Sequence, residues 1–271
     1  MTQASFRLVD SHAHICDPGF DDDRPDVLAR AQRAGVEAIV AVGETLADAR
    51  KNVALAHAYP ILKAAAGLYP TILDHDQADE LVAFIRQHRS RLVAIGEVGL
   101  DYWKAKDDSQ KAVQREIFKR FIDLSLELNL PLNVHSRSAG RHAVALLLEC
   151  GARRVQMHAY DGKAASVLPA VEAGFYFSVP PSISRSRQKQ KLIKQLPLAC
   201  LLVETDSPVL GPDPQARNEP SNLCLSIQAI AQIKALHPQA VTEAVAENAF
   251  HLYGDLGMKS GDGAAAVLPP I

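Results

Sequence analysis

His12 and His14 stand two residues apart in Asp10-Ser11-His12-Ala13-His14, directly after a short apolar run. In extended chain the side-chain period is two, so both imidazoles project from one side and can chelate one cation. Glu97 leaves the apolar run 92–96 in the string Gly96-Glu97-Val98-Gly99-Leu100-Asp101. An unpaired charge in an apolar setting is costly, so Glu97 needs either a Lys or Arg partner or metal ions, and its two oxygens can bridge two cations. His135 closes the run 130–134 and His158 closes 154–157. Asp206 follows Leu201-Leu202-Val203-Glu204-Thr205. Glu204 is the alternative carboxylate there, but it lies one strand period deeper, which suits an acceptor behind the ligands; Asp206 is better placed at the rim. Taken singly, each of these residues has an ordinary structural explanation, a satisfied core histidine or a salt bridge. Six of them at corresponding positions do not. Four imidazoles and two carboxylates match a binuclear hydrolase site, with a nitrogen content that suits Zn, Mn, Ni or Fe better than Mg alone.

The elements that must position these groups are short apolar runs alternating with segments of helical period, the pattern of repeated βα units. Strands are expected at 7–10, 38–42, 61–66, 92–96, 132–134, 154–157, 174–178 and 200–203. Helices are expected near 25–34, 46–58, 77–89, 109–129, 139–150, 163–173, 187–195, 221–236 and 241–253. A doubly wound open sheet would alternate in the same way. A (β/α)8 TIM barrel is favoured because ligand-type residues recur at the C-terminal ends of five strands, which closure brings around one axis. The ten histidines fit this, since His57, His88, His142, His237 and His251 fall in or beside expected helices and His75 in a loop, whereas the other four sit at strand ends.

A length of 271 residues suits one such barrel, and the whole chain reads as a single domain with a loosely held Gly-, Ala- and Pro-rich tail from about residue 258. No apolar run is long enough to span a bilayer, and no signal-peptide core precedes the first motif. Cys16, Cys150, Cys200 and Cys224 are widely spread with no Cys-x-x-Cys pair, which points to reduced thiols in a cytoplasmic protein. The formal net charge of −2 excludes the basic footprint of a general nucleic-acid binder, so a polyanion must be held by a local field such as bound metal supplies. No obligate protein partner is implied.

These motifs resemble the TatD family of metal-dependent deoxyribonucleases, within the amidohydrolase-like barrels. The likeness is carried by Val9-Asp10-Ser11-His12-Ala13-His14, Gly96-Glu97-Val98-Gly99-Leu100-Asp101, Asn133-Val134-His135-Ser136-Arg137, His158-Ala159-Tyr160-Asp161-Gly162, Glu204-Thr205-Asp206-Ser207-Pro208 and Arg217-Asn218-Glu219-Pro220. The stretches 134–141 and 178–198 are most similar to the eukaryotic type 3 TatD-domain subgroup. The resemblance implies that His12, His14, Glu97, His135, His158 and Asp206 are metal ligands and that the substrate is DNA or another phosphoester. Two strings depart from the family pattern. Tyr69, in Gly67-Leu68-Tyr69-Pro70, replaces a histidine that faces substrate in the family, and His158-Ala159-Tyr160-Asp161-Gly162 differs from the commoner His-Cys-Phe-Ser-Gly.

The expected activity is phosphodiester hydrolysis by a metal-activated hydroxide, with two divalent ions (Zn, Mn, Ni, Fe or Mg), Glu97 bridging them, and Asp206 moving the proton. His12 and His14 are assigned to one ion, His135 and His158 to the other. Substrate contacts are expected from Arg137, Tyr69 and Tyr102, with Arg141 a weaker phosphate candidate and Trp103, like Tyr102, able either to stack on a base or to pack in the core. The basic run 185–191 reads as a solvated helix face in preference to a phosphate track. Asn218 and Glu219 read as helix-capping or loop-bracing residues. The competing functions are a small-molecule amidohydrolase or phosphotriesterase-like enzyme and, less favoured, a non-catalytic metal-binding barrel.

Overall fold

The computed structural model describes residues 8–163 and 166–257; the expected tail from 258, and residue 7 at the start of the first expected strand, lie outside them. Every expected apolar run forms a strand: β1 (Leu8–Ala13), β2 (Val36–Ala41), β3 (Leu62–Ala66), β4 (Ala94–Gly99), β5 (Leu132–His135), β6 (Val155–Met157), β7 (Tyr176–Val179) and β8 (Leu201–Val203). They pair in chain order and in parallel. The seam between β8 and β1 is drawn together by backbone bonds just beyond the strands, Asp206 N to His12 O and His14 N to Ser207 O, both 2.8 Å. The result is the expected TIM barrel, in which the C-terminal ends of all eight strands face one mouth.

Helices α1 (Arg24–Arg33), α2 (Leu46–Ala58), α3 (His75–Gln87), α4 (Asp108–Leu128), α5 (Gly140–Glu149), α6 (Leu168–Glu172), α7 (Arg187–Gln195), α8 (Leu223–Lys234) and α9 (Pro238–Tyr253) fill the connections. Several start where a short polar side chain takes up free amides. Asp74 accepts from Asp76 N (2.9 Å) and Gln77 N (3.1 Å), and Asp107 from Gln110 N (2.8 Å), caps of a kind each worth about 1 kcal/mol. α6 is shorter than expected: Pro169 lacks an amide proton and so belongs to the helix's first turn. None of the described helices is long and apolar enough to cross a membrane.

Among the described residues, apolar side chains form two clusters. The outer one, including Ile39, Leu62, Ile95 and Leu132 with Leu81, Ile85, Phe118 and Phe121, joins the sheet to the helices. The inner one uses small residues, Val9, Ala38, Val40, Ala65 and Ala94, with Ala249, Leu252 and Tyr253 of α9 packed against them. Arg154, just before β6, donates from Nε to Leu252 O at 3.2 Å, which places the end of α9 at the strands' N-terminal side.

Two strands run about three residues past their expected ends, and both do so through an irregular register. On β1, Asp10 to Ala13 spans three steps while the partners Ile39 to Ala41 span two. On β4, Ile95 to Val98 likewise faces Leu132 to Val134. Each extra residue bends its strand and re-aims the side chains there, and those stretches carry His12 and Glu97. Close backbone approach accompanies this: a Cβ on Gly99, whose φ is +146°, would overlap the His135 carbonyl oxygen.

Candidate metal centre

All six expected ligands meet at the barrel mouth. His12 Nε2 and His14 Nε2 lie 3.2 Å apart, and Asp206 Oδ1 is 3.3 Å from the first and 3.4 Å from the second. Glu97 Oε2 completes this cluster at 3.3 Å from His14 Nε2. Its other oxygen, Oε1, belongs to a second cluster, 2.6 Å from His135 Nδ1 and 3.1 Å from His158 Nε2, with those two nitrogens 3.4 Å apart. A tetrahedral cation with bonds of about 2.0–2.1 Å holds its ligand atoms about 3.3–3.4 Å apart. The donor atoms are therefore of the right kind for a cation on either side of Glu97, and their separations fit one except at His135 Nδ1 and Glu97 Oε1, which are hydrogen-bonded to each other in the cation-free fold.

Behind two of the histidines, His12 and His135, a polar partner orients the ring. Asn133 Nδ2 donates to Ser11 O at 2.9 Å, which turns its oxygen to His12 Nδ1 at 2.8 Å. That oxygen can only accept, so the proton sits on Nδ1 and Nε2 offers a lone pair. Asp101 holds His135 likewise: Oδ2 accepts from Nε2 at 3.1 Å, so that Nδ1, hydrogen-bonded to Glu97 in the cation-free fold, is the nitrogen a cation can take over. The backbones of Asp206 and Ala159 adopt left-handed conformations, with φ of 55° and 40°. Such strain at non-glycine residues is held by its surroundings; here Asn218 Nδ2 donates to Thr205 O and Val209 O at 2.8 Å each, and Glu204 Oε1 accepts Ala159 N at 2.8 Å. Asn218 thus braces the loop after β8, and Glu219 braces it to α1 through Arg30 Nη2 at 2.7 Å.

Electrostatics point the same way. Burial pushes the Glu97 carboxyl up, but the imidazoles of His158 and His135 and their hydrogen bonds outweigh it and hold Glu97 well below the usual carboxylate range. Burial lowers His14 and His158, yet the surrounding carboxylates win and raise both well above the ordinary imidazole value; His135 is raised too. These rings and acids hold each other's charge in the cation-free fold, and a divalent ion can take the place of those protons.

The centre floors a pocket of about 510 Å³. Tyr69 lines it, its ring set edge-on to His135 with centroids 5.1 Å apart, and Arg137 forms part of its wall. Tyr102 does not reach it; its ring packs 5.1 Å from that of His142, among partly buried neighbours. Arg141 is exposed and bonds to His142. In the basic run, Arg187 and Lys191 are solvated as expected, but Lys189 turns inward, lines the pocket and donates from Nζ to Ala159 O at 2.7 Å. Burial depresses the pKa of its ammonium. Sequence reasoning missed Glu44, after β2, and Lys189 as pocket walls, and Asp101 and Asn133 as the partners behind His135 and His12.

Residues 9–254 match the sequence profile of the TatD-related DNases. This chain belongs to that family. As a TatD-family protein it is 44% identical over 268 residues to human deoxyribonuclease TATDN3, covering 94% of this chain and 98% of that one. It is 34% identical to the Bacillus subtilis metal-dependent hydrolase YabD, over 91% of this chain and 98% of the relative. The crystal structure of the TatD homologue YjjV from Escherichia coli K12 superposes with a TM-score of 0.86 at 26% identity, covering 93% of this chain and all of that one.

Proposed function

We propose that this TatD-family protein hydrolyses phosphodiester bonds in DNA, using divalent cations held by His12, His14 and Asp206 on one side of Glu97 and by His135 and His158 on the other. The observation that carries this reading is the division of the Glu97 carboxylate, one oxygen to each donor cluster. Cations bound there lower the pKa of water and offset charge on phosphoryl oxygens. They also add positive charge beside Glu44, Glu97, Asp161 and Asp206 on the pocket walls, where a polyanion has to approach.

Around the centre the chain's own groups have separate tasks. The Asp206 carboxylate, at the mouth, takes the proton of the attacking water and returns it to the leaving oxygen. Arg137 and Lys189 hold non-bridging phosphate oxygens through charge-assisted hydrogen bonds. Tyr69, beside His135, bounds the space that the leaving group occupies. DNA as the substrate rests on the relative described as a deoxyribonuclease. The four free cysteines support a cytoplasmic location.

The test is metal-reconstituted protein offered 3′-labelled single-stranded DNA, abasic duplex, and a panel of amides and lactones. DNA is expected to be cut, at a rate that falls steeply with salt. Turnover of an amide or lactone with no cleavage of DNA would replace this reading with a small-molecule hydrolase.

A further inference from the structure

The loop after β4 ends in an exposed aromatic ring that the chemistry above leaves unused. Trp103, the only tryptophan of the chain, is 46% exposed. Its position is fixed from below. Tyr102 N donates to Arg137 O at 3.0 Å, which ties this loop to the one after β5, and Lys104 N donates to Asp101 Oδ1 at 2.8 Å. The Arg137 guanidinium consequently lies 4.0 Å from the Trp103 ring centroid, with the ammonium groups of Lys104 and Lys106 at 4.8 and 5.8 Å. Arg137 is at the same time part of the pocket wall. One ring, flanked by three cations, therefore stands against Arg137 of the pocket wall. Even with these cations against it the indole stays 46% exposed, and every nucleobase offers a flat face to stack on such a ring and every nucleotide brings a phosphate for the cations.

From this we infer that Trp103, held by Arg137, is a base-stacking subsite: it takes the unpaired nucleobase flanking the cleaved bond, while Arg137 holds the phosphate between that base and the metal centre. The inference rests on the nuclease reading and names the residue that discriminates nucleotides from bare phosphodiesters. It also distinguishes Trp103 from its neighbour Tyr102, whose ring is committed to His142.

Because Trp103 is the only indole, its emission reports on this one place. The metal-loaded protein is titrated with a nuclease-resistant phosphorothioate oligothymidylate and with a strand of equal length whose sugars carry no bases. Quenching by the first and little by the second is expected. Trp103→Ala should weaken binding of a labelled oligothymidylate, followed by anisotropy, roughly ten- to hundredfold. The loss should appear in KM for cleavage rather than in kcat, and Trp103→Phe, which keeps a stacking face, should recover most of it. Equal quenching by both strands, or wild-type KM in Trp103→Ala, overturns the stacking subsite and leaves the nuclease intact. Failure of the wild-type protein to cut any DNA overturns the reading beneath it.

Discussion

Replacing Asp101 by Asn separates two tasks that a carboxylate performs at once. Oδ2 accepts from His135 Nε2 at 3.1 Å, and Oδ1 accepts the Lys104 amide at 2.8 Å. An asparagine has one acceptor oxygen. If that oxygen stays with Lys104, the new NH2 group faces His135 Nε2, the ring must present a lone pair there, and its proton moves to Nδ1. Nδ1 lies 2.6 Å from Glu97 Oε1 and would then have no lone pair for a cation. If the amide flips instead, the loop that carries Trp103 loses an anchor. Loss of such a partner behind a ligand costs about 10–100-fold in metal affinity, or about 1.4–2.7 kcal/mol. Only one cluster should feel it, because the His12 tautomer depends on Asn133. Competition of the metal-free variant with a chromophoric chelator for Zn should therefore resolve one site near wild-type affinity and one weakened by that factor, with cleavage falling alongside occupancy of the weak site. Two sites of wild-type affinity, in a variant with unchanged Tm, would refute the tautomer argument. Equal weakening of both would refute the independence of the clusters.

Asp206→Asn should lower kcat by about 10²–10⁴ while metal persists at the His135 and His158 cluster; wild-type turnover at matched metal content would remove Asp206 from proton transfer. Lys189→Met should cost roughly tenfold or more in kcat/KM on DNA and flatten the dependence of log K on log salt by close to one phosphate contact, measured between low and moderate salt. The pH behaviour follows from the signs of the shifts. His14, His135 and His158 are raised above 6.5, so their stabilisation of the metal-free fold is complete below 6.5 and is lost as pH rises through the raised values. Glu97 is depressed, so its contribution is present above its ordinary 4.5 and is lost as pH falls through the depressed value. The metal-free protein should be most stable in mild acid, and metal uptake at neutral pH should release protons; calorimetry in two buffers of different ionisation enthalpy that shows no release would contradict this.

The six residues that meet at the mouth were readable because each interrupts an apolar run at the same point of a βα unit, a coincidence that needs no coordinates. The helix pattern was readable for the same reason: one periodicity gave way to another at polar caps such as Asp74 and Asp107. What escaped is information carried across strands. Asn133 sits inside an apolar run, and nothing local says that its oxygen turns to His12 on β1, 121 residues away. Nor could a period-two argument foresee the extra residues in β1 and β4, which depend on neighbouring strands for their meaning. Lys189 did leave a signal. It precedes Leu192 and Ile193 by three and four residues, and both are buried, so it shares the inward face of α7 while Arg187 and Lys191 do not. Its charge concealed its position.

Between the apolar floor of the barrel and the ligands lies a layer of buried polar groups, and its composition follows from the demands of the centre above it. Ser178 Oγ donates to Glu204 Oε2 at 2.6 Å, and Gln156 Nε2 donates to Ser178 Oγ at 2.8 Å and Ser11 Oγ at 3.0 Å. Tyr253 OH, from the last turn of α9, donates to the Gln156 oxygen and accepts from Asn133 Nδ2 at 3.3 Å. An apolar layer would pack as well at no cost of desolvation, but it would leave Asn133 free to turn and His12 free to exchange tautomers. With every donor spoken for, the asparagine oxygen has one place to point. The hydrogen-bond order that begins at α9 therefore ends as a lone pair on His12 Nε2, and the final turn of α9 belongs to the support of the candidate metal centre as much as to the barrel's floor.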